Sequence, residues 1–276
     1  MRILSRISLG HALIALAFGL VTASATQAAR CKTTGWLVKK TSCTYHETKL
    51  QSRPGIYRDV RWQVPEGTAP AGGWPVVVMY QGSFFPVEFS RSEYEPFGGY
   101  YEVKVIEKLL NNGYAVIAPD AGIDLFWETN LPVIYELTAD YLYLNNLFDA
   151  IENGAFGNLN PNKKFATGIS SGGYNTSRMA VTWPGEFRAL AVQSGSYATC
   201  SGPVCFVPNN LPANHPPTYF LHGWVDLVVP WWSMDLYYEE LIDSGIPAGR
   251  TTNWLASHEW IPEAPSKILS WFNAYN

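Results

Sequence analysis

The stretch Phe165-Ala166-Thr167-Gly168-Ile169-Ser170-Ser171-Gly172-Gly173-Tyr174 joins a short apolar run to a helix-compatible segment, with Gly-x-Ser-x-Gly centred on Ser170. A serine on a sharp strand-to-helix turn needs small residues two positions before and after it, because the chain must double back past them. Gly168 and Gly172 meet that need. Ser170 is therefore the candidate nucleophile, and a helix starting at Ser171 offers free N–H groups and a positive dipole end to a developing oxyanion. In a chain with 23 glycines the five letters can arise by chance, so their surroundings must carry the reading.

Short apolar runs recur on both sides, at 76–79, 115–118, 165–167, 190–193, 219–221 and 253–255. Runs of this length, separated by helical patterns, suit strands of a mostly parallel sheet covered on both faces. Upstream, Val60, Trp62 and Val64 alternate with Arg61 and Gln63, the period of a half-exposed strand in an antiparallel pair, and a Pro/Gly/Ala-rich turn at 65–73 follows. Val103, Ile106 and Leu110 mark one helix; Leu137, Tyr141, Leu144, Phe148 and Ile151 mark a second that stops at Gly154. Another is expected over 232–244 and a last over 265–275, with Ile268, Leu269, Phe272 and Tyr275 facing inward. These stripes are core. The expected fold is α/β: a mostly parallel central sheet, helices on both faces, and antiparallel strands on the N-terminal side. No repeat, low-complexity tract or long linker divides 30–276, which reads as one domain.

The 276 residues are 47% hydrophobic and 15% charged, ample for a large core. With 19 basic against 23 acidic residues and no basic run, the electrostatic footprint of a nucleic-acid binder is missing. Residues 1–29 stand apart: Arg2 and Arg6 precede a short apolar run at 12–21, and small residues follow up to Ala29. That order predicts a secretory signal peptide, too short to serve as a membrane span, and hence an exported protein. Beyond it lie Cys31, Cys43, Cys200 and Cys205, two local groups in an oxidising setting. Cys31–Cys43 and Cys200–Cys205 are the expected bridges among three possible pairings; no histidine stands at zinc-ligand spacing beside either pair.

A serine hydroxyl needs a neighbouring base, and on an elbow of this kind the carboxylate and then the histidine follow the serine in the chain. His11 falls in the predicted leader and His46 precedes the main sheet. His215 looks like part of a loop leading into a strand, and His222 closes the run at 219–221, where local packing or a local hydrogen bond explains it. His258 lies just past the last expected strand, and Asp226 stands in the loop four residues after His222. Both fall where open α/β sheets carry their reactive loops. Asp235 and Asp243 are rivals for the carboxylate, but 232–244 reads as a helix. The roles follow: His258 as base and acid, Asp226 as the holder of its tautomer. A second oxyanion donor beside the Ser171 N–H is expected from Gln81-Gly82-Ser83, with the Ser83 N–H nominated; a plain strand-ending turn is the alternative reading of that segment.

Gly168-Ile169-Ser170-Ser171-Gly172, the run Tyr219-Phe220-Leu221-His222-Gly223-Trp224-Val225-Asp226 and Ser257-His258-Glu259-Trp260 resemble the extracellular medium-chain-length polyhydroxyalkanoate depolymerases of Gram-negative bacteria. The resemblance spans the chain after the leader. It implies an α/β-hydrolase fold, no cofactor and no metal, and a triad of Ser170, Asp226 and His258 acting on water-insoluble polyesters of 3-hydroxy acids such as poly(3-hydroxyoctanoate). It also implies that no separate substrate-binding domain follows, so that the catalytic domain's own surface must adsorb the polymer. Phe84, Phe85, Phe126, Trp127, Trp224, Trp231 and Trp232 are the aromatic candidates for that surface. A triad fixes acyl transfer without fixing the acyl group. A feruloyl-type or short-chain esterase, a prolyl-type peptidase, and a non-catalytic polymer-binding module on the same scaffold are the other readings, and oligomeric state is left open.

Overall fold

The computed structural model describes residues 29–123, 125–131 and 133–276. The segment read as a signal peptide, apart from Ala29, lies outside the described residues. The chain runs β1 (Cys31–Thr34), β2 (Lys40–Cys43), β3 (His46–Arg53), β4 (Ile56–Gln63), β5 (Trp74–Tyr80), β6 (Ser90–Ser92), α1 (Gly99–Leu110), β7 (Ala115–Pro119) and α2 (Ala139–Glu152). It continues through β8 (Leu159–Ile169), α3 (Ser171–Thr182), β9 (Ala189–Gln193), β10 (Thr218–Gly223), α4 (Trp231–Asp243), β11 (Ala248–Asn253) and α5 (Ala264–Ala274).

Among the described residues, eight strands form the main sheet in the order β11-β10-β9-β8-β5-β7-β4-β3. From β7 to β11 the pairing is parallel. β4 joins antiparallel to β7 and to β3, so the antiparallel strands lie on the N-terminal side as expected. Successive β5 residues serve opposite faces: Val77 and Met79 pack with α1 and α5, while Val76, Val78 and Tyr80 pack with α2. A strand buried on both faces has no polar alternation to show, which is why it reads as a continuous apolar run. Two disulfides, Cys31–Cys43 and Cys200–Cys205, close the β1–β2 hairpin and a turn between β9 and β10. Among the described residues no helix is long and apolar enough to cross a membrane.

Three local expectations need correction. The run at 253–255 is not a strand: β11 ends at Asn253, and Trp254 and Leu255 are exposed beyond it. The strand itself, Ala-Gly-Arg-Thr-Thr-Asn, is a half-buried edge strand without an apolar run to announce it. The second helical stripe starts later than Leu137, because Thr138 caps α2 by accepting the Tyr141 N–H, and Leu137 sits exposed in the turn before the cap. Gln63 does not face solvent either; its side-chain amide is buried and donates to the Thr44 carbonyl and hydroxyl.

Candidate active site

Ser170 separates β8 from α3 in a conformation few L residues adopt, with φ 57° and ψ −122°. Such a backbone costs roughly 1–3 kcal/mol and persists only where the surroundings over-determine it. Here the Ser170 N–H donates to the Gln193 carbonyl at 3.1 Å, and the Ser170 carbonyl accepts the Tyr174 N–H at 3.0 Å. The two flanking glycines are steric necessities. A Cβ on Gly172 would stand 2.2 Å from the Tyr80 carbonyl oxygen, and one on Gly168 would stand 2.6 Å from the Gly172 carbonyl oxygen.

The loop after β10 holds a buried carboxylate. Asp226 Oδ1 accepts the backbone N–H groups of Val228 and Val229 at 2.9 and 2.8 Å. Its Oδ2 accepts the His258 Nδ1–H at 2.8 Å. His222, at the end of β10, approaches the same oxygen: its Nε2 lies 3.4 Å from Asp226 Oδ2 and 2.8 Å from the Val229 carbonyl. A carbonyl can only accept, so Nε2 carries the His222 proton and presents it to both oxygens. Burial by itself would raise the Asp226 carboxyl, but hydrogen bonds from His222, His258 and the Val229 N–H outweigh it and hold the group well below the usual carboxylate range. Asp226 is thus ionised at neutral pH and fixed in orientation.

Ser170 and His258 line one cavity of about 330 Å³, together with Gly82, Ser83, Phe84, Phe85, Phe97 and Val228. Asp226 stands behind His258, so the arrangement brings all three residues assigned from the sequence to one place. The loop after β5 contributes Ser83, half-buried on the cavity wall, and Gly82, where a Cβ would lie 3.7 Å from that of Ser170. Ser171 is buried in the first turn of α3. An imidazole held by a carboxylate and a serine hydroxyl on a strained turn, both lining one apolar cavity, suit acyl transfer.

The aromatic candidates divide. Phe84 and Phe85 are exposed at the cavity mouth, and Trp224 and Trp232 are exposed on the surface. Phe126 lines a separate cavity with Tyr57 and Leu131. Trp231 is half-buried, donating its indole N–H to Thr252 Oγ1 beneath the Arg250 guanidinium. Trp127 is a correction: it is fully buried. Its backbone N–H donates to Ser171 Oγ at 2.9 Å and its indole N–H to the Gln81 carbonyl at 3.1 Å, while its ring meets Tyr80 edge-on. It braces the two segments nominated as oxyanion donors instead of facing solvent.

The sequence reading missed the far wall of the cavity, where Arg91, Glu102 and Trp260 stand. Glu102 is buried on α1 and accepts the Trp260 indole N–H at 3.1 Å. Burial pushes its carboxyl up to about 7, against the pull of Arg91 and the hydrogen bonds it accepts. Trp260 also donates its backbone N–H to the Phe97 carbonyl at 2.9 Å. Two residues after His258, that double anchorage ties the histidine loop to α1 and to the turn before it. No spacing rule announces it. Among the described residues no group of three or more histidine, cysteine or acidic side chains could hold a metal ion.

No family model matches the chain. A curated poly(3-hydroxyoctanoate) depolymerase of Pseudomonas fluorescens is 61% identical over 238 residues, covering 85% of this chain and 86% of that protein. Among solved structures, a thermostable esterase superposes with TM-score 0.63 at 18% identity, over 83% of this chain and 62% of that one. An S-formylglutathione hydrolase from Staphylococcus aureus superposes with TM-score 0.60 at 15% identity, over 83% of this chain and 96% of that one. At such identities the two structures speak for the fold alone, which is that of the α/β-hydrolases.

Proposed function

This chain belongs to the poly(3-hydroxyoctanoate) depolymerases, and from that membership we propose that it cleaves the ester bonds of medium-chain-length polyhydroxyalkanoates through Ser170, His258 and Asp226. The observation that carries the assignment is the pairing of Asp226 with His258 behind the same apolar cavity that Ser170 lines. With its Nδ1–H given to Asp226, His258 keeps Nε2 for the serine proton. Ser170 Oγ adds to the ester carbonyl as Nε2 takes that proton, and the carbonyl oxygen becomes an oxyanion facing the N–H groups of Ser171 and Ser83. Collapse breaks the ester C–O bond, and the departing alkoxide leaves as an alcohol with the proton from His258. Water then attacks the acyl-enzyme, giving its proton to His258. The second collapse releases the 3-hydroxy acid end as a carboxylic acid and returns the proton to Ser170.

Residues 1–29 act in this reading as a cleaved export signal, and 30–276 as the catalytic domain. Two disulfides, which persist in oxidising compartments, and a substrate too insoluble to be taken up whole support an extracellular site of action. Phe84 and Phe85 are positioned to receive the polyester chain at the cavity mouth. A poly(3-hydroxyoctanoate) latex and a pair of nitrophenyl esters test the reading. The enzyme is expected to clear the latex and to prefer octanoate to acetate, and Ser170→Ala to lose about 10⁴-fold or more in kcat while still adsorbing to the polymer. Preference for acetate without clearing would remove the depolymerase assignment, and turnover retained by the serine variant would remove the nucleophile.

A further inference from the structure

The loops after β10 and β11, which carry Asp226 and His258, also carry large exposed apolar side chains. Leu227 and Leu255 are each 92% exposed, Trp254 64% and Trp224 44%. Side chains of this size normally find cover. Strand pairing sets them side by side: Gly223 is the register partner of Asn253, so the next residues, Trp224 and Trp254, leave the sheet together. Their ring centroids are 4.6 Å apart.

The platform is held from below. The Trp224 N–H donates to the Asn253 carbonyl at 2.9 Å and the Val225 N–H to the Ala256 carbonyl at 3.2 Å. Asn253 Oδ1 accepts the N–H groups of Leu255 and Ala256 at 3.0 and 3.1 Å. With the backbones of both loops locked to each other, the apolar side chains are presented outward on a fixed base. Charge is missing as well. Over 223–231 the one charged residue is Asp226, which is buried, and 251–257 contains none. A surface that must be stripped of water against an aliphatic solid is spared the desolvation of ions.

Resting on the polyester reading above, we infer that Trp224, Trp254, Leu227 and Leu255 form the platform on which the enzyme adsorbs to the solid polyester, next to the cavity that takes the reacting segment. Val228 supplies the continuity: it is exposed on the same loop as Leu227 and also lines the cavity beside Ser170. The cavity accommodates a chain segment and not a particle, so the bulk of the polymer must rest on whatever borders the mouth.

The test separates adsorption from chemistry. In a Ser170→Ala background, the double variant Trp254→Ser/Leu255→Ser is expected to weaken adsorption to poly(3-hydroxyoctanoate) latex by about tenfold or more, measured by co-sedimentation. Leu227→Ser, on the other loop, is expected to act in the same direction. With Ser170 intact, the double variant should hydrolyse soluble nitrophenyl octanoate at the unaltered rate and clear latex more slowly, with an unchanged melting temperature. If the double variant melts early, Leu227→Ser alone decides by the same comparison. Undiminished adsorption would overturn the platform, as would light scattering showing a dimer that the variant turns into monomer, since a second copy would then be the occupant. An unsubstituted enzyme that adsorbs yet never clears latex would instead sink the depolymerase reading and leave the platform standing.

Discussion

The turn after β8 and the loop after β10 leave the same end of the sheet and are built to opposite specifications. In the first, every residue from Ser171 to Ala180 is buried and the backbone itself is the device, crowded by carbonyls of neighbouring strands. In the second, buried residues alternate with exposed ones: His222, Asp226 and Val229 point in, while Trp224, Val225, Leu227 and Val228 point out. A nucleophile on a strained turn needs constraint on all sides. A carboxylate needs only its own oxygens fixed, which frees the rest of its loop to face the substrate. The sharpest way to break this contrast is Gly172→Ala, whose Cβ would meet the Tyr80 and Gln81 carbonyl oxygens at 2.2 and 2.3 Å. Neither oxygen can retreat without disturbing β5, so a loss of about 3 kcal/mol or more is expected in urea unfolding. Gly245→Ala, at φ +70° with nothing within 4 Å, should lose only about 1 kcal/mol. A loss at Gly172 no larger than that at Gly245 would show that the crowding carbonyls give way and do not constrain the elbow.

On the other side of the contrast, the carboxylate is only as well oriented as its donors make it. His222 acts through Asp226, so it is a positioning residue and its removal should lower kcat while leaving KM nearly unchanged. His222→Phe deletes the shared Nε2–H and leaves the Val229 carbonyl without it. A drop of about 10–100-fold in kcat on nitrophenyl octanoate is expected, near the size of losing one hydrogen bond to a charged group. His222→Gln keeps a donor and should recover part of the rate. A variant that loses stability but not turnover, or one equally impaired with Phe and Gln, would confine His222 to packing.

The parts of this arrangement legible in the sequence are those fixed by chain order or by burial on two faces. The central strands stood out because β7 and β9 are buried throughout and β5 is buried from Pro75 to Tyr80. Asp226 and His258 could be named because the partners of an elbow serine follow it in a set order. Trp127 could not be placed, because its side depends on whether its two N–H groups find Ser171 and the Gln81 carbonyl, and both partners lie far away in the chain. Trp254 and Leu255 were misread for a related reason: three consecutive residues ending in Trp-Leu look the same in a buried strand and on an exposed platform. For His222 the sequence suggested local packing or a local hydrogen bond, and it makes one to the Val229 carbonyl, but its approach to the Asp226 carboxylate has no periodicity to reveal it.

Glu102 gives the finest test of how the histidine loop is held. Its carboxyl keeps a proton up to about 7 in the folded protein, whereas an unfolded glutamate releases it near 4.3. Between those values the native state binds more protons than the unfolded chain, so stability falls as pH rises through the window and levels off above it. Ionising the buried group costs on the order of 3–4 kcal/mol, with the attraction of the Arg91 guanidinium already included. Glu102→Gln can still accept the Trp260 indole N–H through its side-chain carbonyl, so the anchor of the His258 loop survives while the titration does not. Melting temperatures taken at pH 5 and pH 8 should therefore draw apart in favour of the variant at the higher pH, by a few degrees. Parallel curves would mean that Glu102 is already ionised in the fold, and that the Trp260 anchor is a charged hydrogen bond whose loss in the variant should then loosen His258 and lower kcat at every pH.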